Sequence, residues 1–290
     1  MCTHFGTHRE PIGETQAACR GERTSGDRRA VSSGQLRKHK QFHSRFLRNQ
    51  RDLIVYTPPG YADKPGRHFP VLYLQDGQNL FDGATSFIPG QDWRVGQTAD
   101  HCIQSGAVQP LIIVAVYNTK ARIREYTPTH APKLGGGRAD RYARFLIEEV
   151  KPFVDREYRT LSGPEHTGIG GSSLGGLVSL YIGLKHSRIF GKIAALSPSV
   201  WWNHGVIHRF AQAAVVQPRP RIWLDIGTRE GARIVRDVEK FRGVLLAKGW
   251  QLGRDLHYER VEGAEHNEAA WAQRVGPFLQ FLYPGGEAAV

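Results

Sequence analysis

Several stretches of the chain are apolar at almost every position, and polar, turn-forming residues separate them. Residues 69–74 and 111–116 are continuous apolar runs, and 192–196 and 221–226 repeat the pattern. Such runs suit strands buried on both faces, as in a parallel sheet covered by helices. Residues 42–56 read as strand, clearest at 52–56, and stop at the turn signal Thr57, Pro58, Pro59, Gly60. Residues 256–261 alternate as a half-buried strand. Between the strands the period changes. Tyr142, Phe145, Leu146, Val150 and Phe153 fall at helical spacing, as do Leu177, Val178, Leu180, Tyr181 and Leu184. Helices are also predicted over 232–248 and 267–282. Strands alternating with helices over some 240 residues imply one α/β domain with a mostly parallel sheet. No internal repeat or interdomain linker interrupts it after residue 52.

The first 34 residues have no apolar periodicity and are rich in Gly, Ser, Thr, Arg and Glu, so they are expected to form a disordered basic leader to a catalytic domain spanning 35–290. Of the formal charge of +12, residues 1–51 contribute +7 and the rest +5. A nucleic-acid arm is one reading of that leader. A solvated tail is the simpler one, since no aromatic residues are interleaved with the cations. The N-terminus lacks the apolar core of a secretory signal, and no run approaches membrane-span length. The three cysteines, Cys2, Cys19 and Cys102, have neither disulfide-framework nor metal-ligand spacing. A cytoplasmic protein with no metal and no cofactor is therefore expected.

Candidate chemistry concentrates where strands end. Residues 167–177 read TGIGGSSLGGL and contain one Gly-x-Ser-x-Gly frame, centred on Ser173; shifted to Ser172 it fails, because Leu174 then occupies the second glycine position. Strand, sharp turn and helix around this frame form the setting of a nucleophile elbow. A serine hydroxyl needs a neighbouring base. Of thirteen histidines, His266 is best placed, in the loop between the last strand and the last helix. The base needs an orienting carboxylate. Glu230, after the 222–226 strand, satisfies the order Ser, acid, His; Asp225 inside that strand and Asp237 on the following helix are rivals. The oxyanion donors expected are the backbone N–H of Leu174 and one from Gly77 or Gln78.

Five segments in order resemble a known group: YLQDGQNLFD (73–82), GGSSLGG (170–176), SPSVWW (197–202), LDIGTRE (224–230) and EHNE (265–268). Together they resemble the putative-esterase branch of the α/β-hydrolase superfamily, which includes enterochelin esterases, feruloyl and acetyl-xylan esterases and esterase D. The resemblance covers residues 40–283. It implies an α/β-hydrolase fold with helices on both faces of the sheet, and a serine esterase with Ser173 as nucleophile and His266 as base. The acid position falls on Glu230, a role that some enterochelin esterases leave without a strong acid.

Trp201, Trp202, Phe81 and Tyr126 are candidates to stack on an aromatic acyl group or a sugar, with Arg122 at the rim. No long insertion is available as a lipase-type lid, so esters with small or polar acyl and alcohol groups are expected as substrates. Acyl transfer to a sugar on the same fold, a catalytically silent binding module and a nucleic-acid-associated protein are the alternatives.

Overall fold

The computed structural model describes residues 33–286, and the expectation for the basic leader lies almost entirely outside them. Ten strands are β1 (Gln35–Ser44), β2 (Asn49–Thr57), β3 (Val71–Gln75), β4 (Ile112–Val116), β5 (His130–Ala131), β6 (Gly135–Gly136), β7 (Thr167–Ser172), β8 (Lys192–Leu196), β9 (Arg221–Gly227) and β10 (Leu256–Val261). Eight of them form one sheet in the order β1-β2-β4-β3-β7-β8-β9-β10. From β4 to β10 all neighbours are parallel. The β1–β2 hairpin adds to β4 antiparallel.

The doubly buried strands follow from their composition. Every residue of β3, β4 and β7 is buried. Alternation along each strand divides them between two cores: Val71, Tyr73, Ile112 and Val114 face one layer, and Leu72, Leu74, Ile113 and Ala115 the other. The first layer is covered by α5 (Leu174–Lys185), α6 (Trp202–Ala213) and α7 (Ala232–Ala247) through Leu177, Ile207 and Phe241. The second is covered by α1 (Val95–Gln104) and α9 (Val275–Leu282) through Val95, Phe278 and Leu282. Helices thus lie on both faces of a mostly parallel sheet, the architecture of an α/β hydrolase.

Local departures from the predicted elements have identifiable causes. The strand-like stretch 42–56 is two strands, broken at a turn where Arg48 has φ 55°. The helix expected over 142–153 is α3 (Ala139–Phe145) running through a π-turn (Leu146–Val150) into α4 (Lys151–Glu157), with Pro152 in its first turn. The last helix is two pieces, α8 (Glu268–Ala272) and α9. The hydrophobic pattern does not predict α1, the short α2 (Arg122–Glu125) or α6. Only two of ten residues in α1 are buried, and α6 carries left-handed residues, so neither shows a clean apolar period.

In parallel sheets the loops after the strand ends face one rim. Here that rim receives Asp76 after β3, Asn118 after β4, Ser173 after β7, Ser197 after β8, Glu230 after β9 and His266 after β10.

Candidate active site

Ser173 sits between β7 and α5 with φ 56° and ψ −123°, outside the regions that L-residues favour. Three bonds hold this strained turn. Its N–H donates to the Leu196 carbonyl at 3.0 Å, and its own carbonyl accepts from Leu177 and Ser199 N–H, each at 3.0 Å. The flanking glycines permit the close approach. A Cβ on Gly171 would lie 3.0 Å from the Gly175 backbone, and one on Gly175 would lie 3.1 Å from an Asp76 carboxylate oxygen. The hydroxyl has Ser199 Oγ at 3.3 Å. Leu174 opens α5, where the first N–H groups have no intrahelical acceptor.

His266 Nδ1 lies 2.6 Å from Glu230 Oε2. A carboxylate oxygen only accepts, so Nδ1 carries a proton, and in the neutral ring the lone pair is then on Nε2. The ring stands edge-on to Trp271, centroids 4.9 Å apart. Glu230 is itself fixed: Oε1 accepts from Ser197 Oγ at 2.6 Å and Gly227 N–H at 2.8 Å. Burial opposes ionisation of this carboxyl, but hydrogen bonds from His266 and Ser197 outweigh it and hold the group below its ordinary range. Behind it, Ser197 Oγ accepts from Trp271 Nε1 at 3.0 Å and Arg274 Nη1 at 2.9 Å. Arg274 also pairs with Asp225 at 2.6 Å, and Asp225 accepts from Trp223 Nε1 at 2.7 Å. Asp225 is thus turned into a buried ion pair, away from the imidazole. Asp237 sits on α7 with its carboxylate 4.0 Å from Lys240. Of the three carboxylates weighed from sequence, Glu230 is the one bonded to His266.

Ser173 and His266 line the same cavity, of about 390 Å³. Gln78, Asn118, Thr119 and Arg122 contribute a polar wall, and Phe87, Ile88 and Trp271 an apolar one. The loop after β3 begins with Asp76 in the left-handed region, φ 56°, before a short 3₁₀ turn at Gly77–Asn79. Its carboxylate is gripped by the Arg122 guanidinium at two points, 2.8 and 2.7 Å, and by Asn118 Nδ2 at 2.6 Å. This triple grip fixes the start of the loop that carries Gly77 and Gln78, and Gln78 lines the cavity. Space at Gly77 is closed, since a Cβ there would lie 2.8 Å from the Ala115 backbone.

Of the residues expected to contact substrate, Arg122 lines the cavity. The four aromatics do not. Tyr126 is fully buried beneath Asp76, whose N–H donates to its hydroxyl. Trp202 is buried with Nε1 bonded to the Thr129 carbonyl. Phe81 packs into the second core layer and stacks on Tyr56. Trp201 lines a separate cleft. Burial of the Tyr126 and Trp202 rings is invisible in a loop motif. The apolar wall was missed for the converse reason: Phe87 and Ile88 lie in a loop without periodicity. Glu268 was also missed as a site residue; it lines the cavity, accepts from Asn79 Nδ2 at 3.2 Å, and burial pushes its carboxyl up. The signal available for it was position, two residues after His266 at a helix start. Among the described residues no group of three or more His, Cys, Asp or Glu could hold a metal ion, and no helix is long and apolar enough to cross a membrane.

Comparison with known proteins gives consistent matches. The Esterase family, described as Putative esterase, matches residues 44–281. An uncharacterized protein of Bacillus subtilis, YbbA, is 25% identical over 268 residues, covering 86% of this chain and 96% of its own. The siderophore triacetylfusarinine C esterase of Aspergillus fumigatus is 32% identical over 192 residues, 62% of each chain. Among solved structures, the BES protein of Bacillus cereus superposes with a TM-score of 0.68 at 20% identity, over 95% of this chain and 99% of that one. The ferulic acid esterase AmCE1/Fae1A of Anaeromyces mucronatus gives 0.66 at 20%, over 92% and 97%.

Proposed function

Since the chain belongs to the putative-esterase family and is a carboxylic ester hydrolase, we propose that it works through Ser173 as nucleophile, His266 as base and Glu230 as the orienting acid. The observation that carries this reading is the 2.6 Å bond between His266 Nδ1 and a buried Glu230 side chain, in a histidine that lines the same cavity as Ser173. Ser173 Oγ attacks the ester carbonyl while His266 Nε2 takes its proton. The developing oxyanion accepts from Leu174 N–H and from Gly77 or Gln78 N–H. His266 then returns the proton to the leaving alcohol, and the second half-reaction repeats the sequence with water to release the acid. Glu230 keeps the imidazole in the Nδ1–H tautomer and stabilises the imidazolium.

The substrate class that fits is an ester with a small or polar acyl or alcohol group. A cavity of about 390 Å³ with one apolar wall and amides opposite accommodates a short acyl chain or one ring, and not a long lipid chain. Relatives named for siderophore and feruloyl esters are compatible with that range. Ser173→Ala is expected to abolish turnover of p-nitrophenyl acetate with an unchanged melting curve. Intact-mass spectra of the wild type should show a single acyl adduct that the variant lacks. Turnover retained by Ser173→Ala refutes the proposal, and product analysis with water or sugar acceptors separates hydrolysis from acyl transfer.

A further inference from the structure

A second concave site is not used by this mechanism. It is a cleft of about 320 Å³ between the start of α6 and the first half of α7. Both helices begin where their strands end, so the Trp201 end of the cleft lies toward the rim that carries Ser173, and the cleft runs from there along the helices to Arg209 and Lys240. It is also near in the chain. Trp201, in its wall, comes two residues after Ser199, whose hydroxyl lies 3.3 Å from that of Ser173. The indole of Trp201 is 37% exposed while its neighbour Trp202 is buried. Asn203, His204 and Gly205 then run consecutively through left-handed backbone, φ 43°, 57° and 70°. Around Trp201 the permanent charges are Arg209, Arg233 and Lys240 against the single carboxylate of Asp237. The carboxylate does little to cancel them: its contact with Lys240 is 4.0 Å, and Arg233 makes no ion pair among the described residues. Arg209 spends one nitrogen on the His204 carbonyl at 3.1 Å and keeps its remaining donors.

A flat indole beside an excess of guanidinium groups is the complement of a ring that carries an oxyanion. The ring stacks on the indole, and the forked N–H groups receive carboxylate or phosphate oxygens. We infer that this cleft is a subsite for the remote, anionic part of the ester substrate, a carboxylate or phosphate borne on a sugar ring, whose ester group reaches Ser173. The inference rests on the esterase reading for its link to turnover, but binding at the cleft is measurable without it.

The test uses the full chain and the Arg209→Gln/Arg233→Gln double variant, with both positions exposed and outside the catalytic machinery. Calorimetric titration with glucose, glucuronate and glucose 6-phosphate separates the contribution of the ring from that of the anion, and carboxylate from phosphate. The wild type should bind one or both anionic sugars at least about tenfold tighter than glucose, and the double variant should lose about that factor. In turnover, kcat/KM for acetylated glucuronate should exceed that for acetylated glucose in the wild type alone, through KM, while p-nitrophenyl acetate is hydrolysed equally by both proteins. Equal affinity for all three sugars, no binding, or an anion preference that survives the double substitution overturns the subsite. Binding of the anionic sugars with no turnover of any ester instead overturns the esterase mechanism and leaves the subsite standing.

Discussion

Glu230→Gln tests the least obvious part of the mechanism, because it keeps the shape of the side chain and changes one thing about the base. Oε1 accepts from Ser197 and Gly227, so the amide oxygen of the variant is retained on that side, and the new NH₂ faces His266. An NH₂ cannot accept from Nδ1–H. The imidazole then relieves the clash by moving its proton to Nε2, which removes the lone pair that deprotonates Ser173. The imidazolium also loses its counter-charge. A wrong tautomer and an unpaired imidazolium together are expected to lower kcat by about 10³–10⁴, or about 4–5.5 kcal/mol of transition-state stabilisation. KM for a small ester should change little, since Glu230 is buried behind the imidazole. Asp225→Asn serves as the control. It breaks a buried ion pair with Arg274 at 2.6 Å, which costs about 3–5 kcal/mol of stability and lowers Tm by about 6–20 °C. The assay is stopped-flow hydrolysis of p-nitrophenyl acetate beside calorimetric melting. The expected result is opposite signatures: activity lost with the fold kept for Glu230→Gln, and stability lost first for Asp225→Asn. If Glu230→Gln retains kcat within tenfold of the wild type, the tautomer argument fails and the acid role passes elsewhere.

Arg122→Ala should cost about 2–3 kcal/mol in urea unfolding, because it leaves the Asp76 carboxylate with one of its two partners; the half-exposed arginine side keeps the figure below that of a fully buried pair. If the Gly77 or Gln78 N–H serves the oxyanion as proposed, the released loop should also lower kcat by about 10²–10³, with KM for a neutral ester nearly constant. Two opposed pH effects follow from neighbouring acids. Glu230, held below its ordinary pKa, contributes stability that is fully present above about pH 4.5 and declines as pH falls through its lowered value, so Glu230→Gln should lower Tm slightly at pH 7, with the fold kept, and flatten its fall on the acid side. Glu268, pushed up by burial, works the other way: stability falls as pH rises through its titration, so Glu268→Gln should raise Tm at pH 7 and leave it unchanged near pH 3.5. An equal Tm gain at both pH values would show that the Glu268 effect is packing rather than charge.

Much of this protein was legible without coordinates wherever a property is local to a few residues. Continuous apolar runs identified β3, β4, β8 and β9, because a strand buried on both faces has no polar face to show. The frame around Ser173 was readable because the turn needs glycine at fixed offsets, where a Cβ would meet backbone or Asp76. The predicted helix boundaries were less secure: Pro152 and the π-turn interrupt one helix, and the last one breaks between Ala272 and Val275. Strand order is not written in any segment. That β4 lies between β2 and β3 depends on which apolar faces close over one another. Chain order does not separate Glu230 from Asp225 and Asp237, since all three satisfy it; loop position and the resemblance favour Glu230, and packing turns Asp225 to Arg274 and Glu230 to His266. The aromatic candidates show the same division. Sequence located Trp201, Trp202, Phe81 and Tyr126 near strand ends, but whether a ring faces solvent or core is decided by neighbours far away along the chain. Elements and turns that depend on residue type and short spacing were therefore legible in the sequence, and everything that depends on which side chains meet across the sheet awaited the tertiary structure.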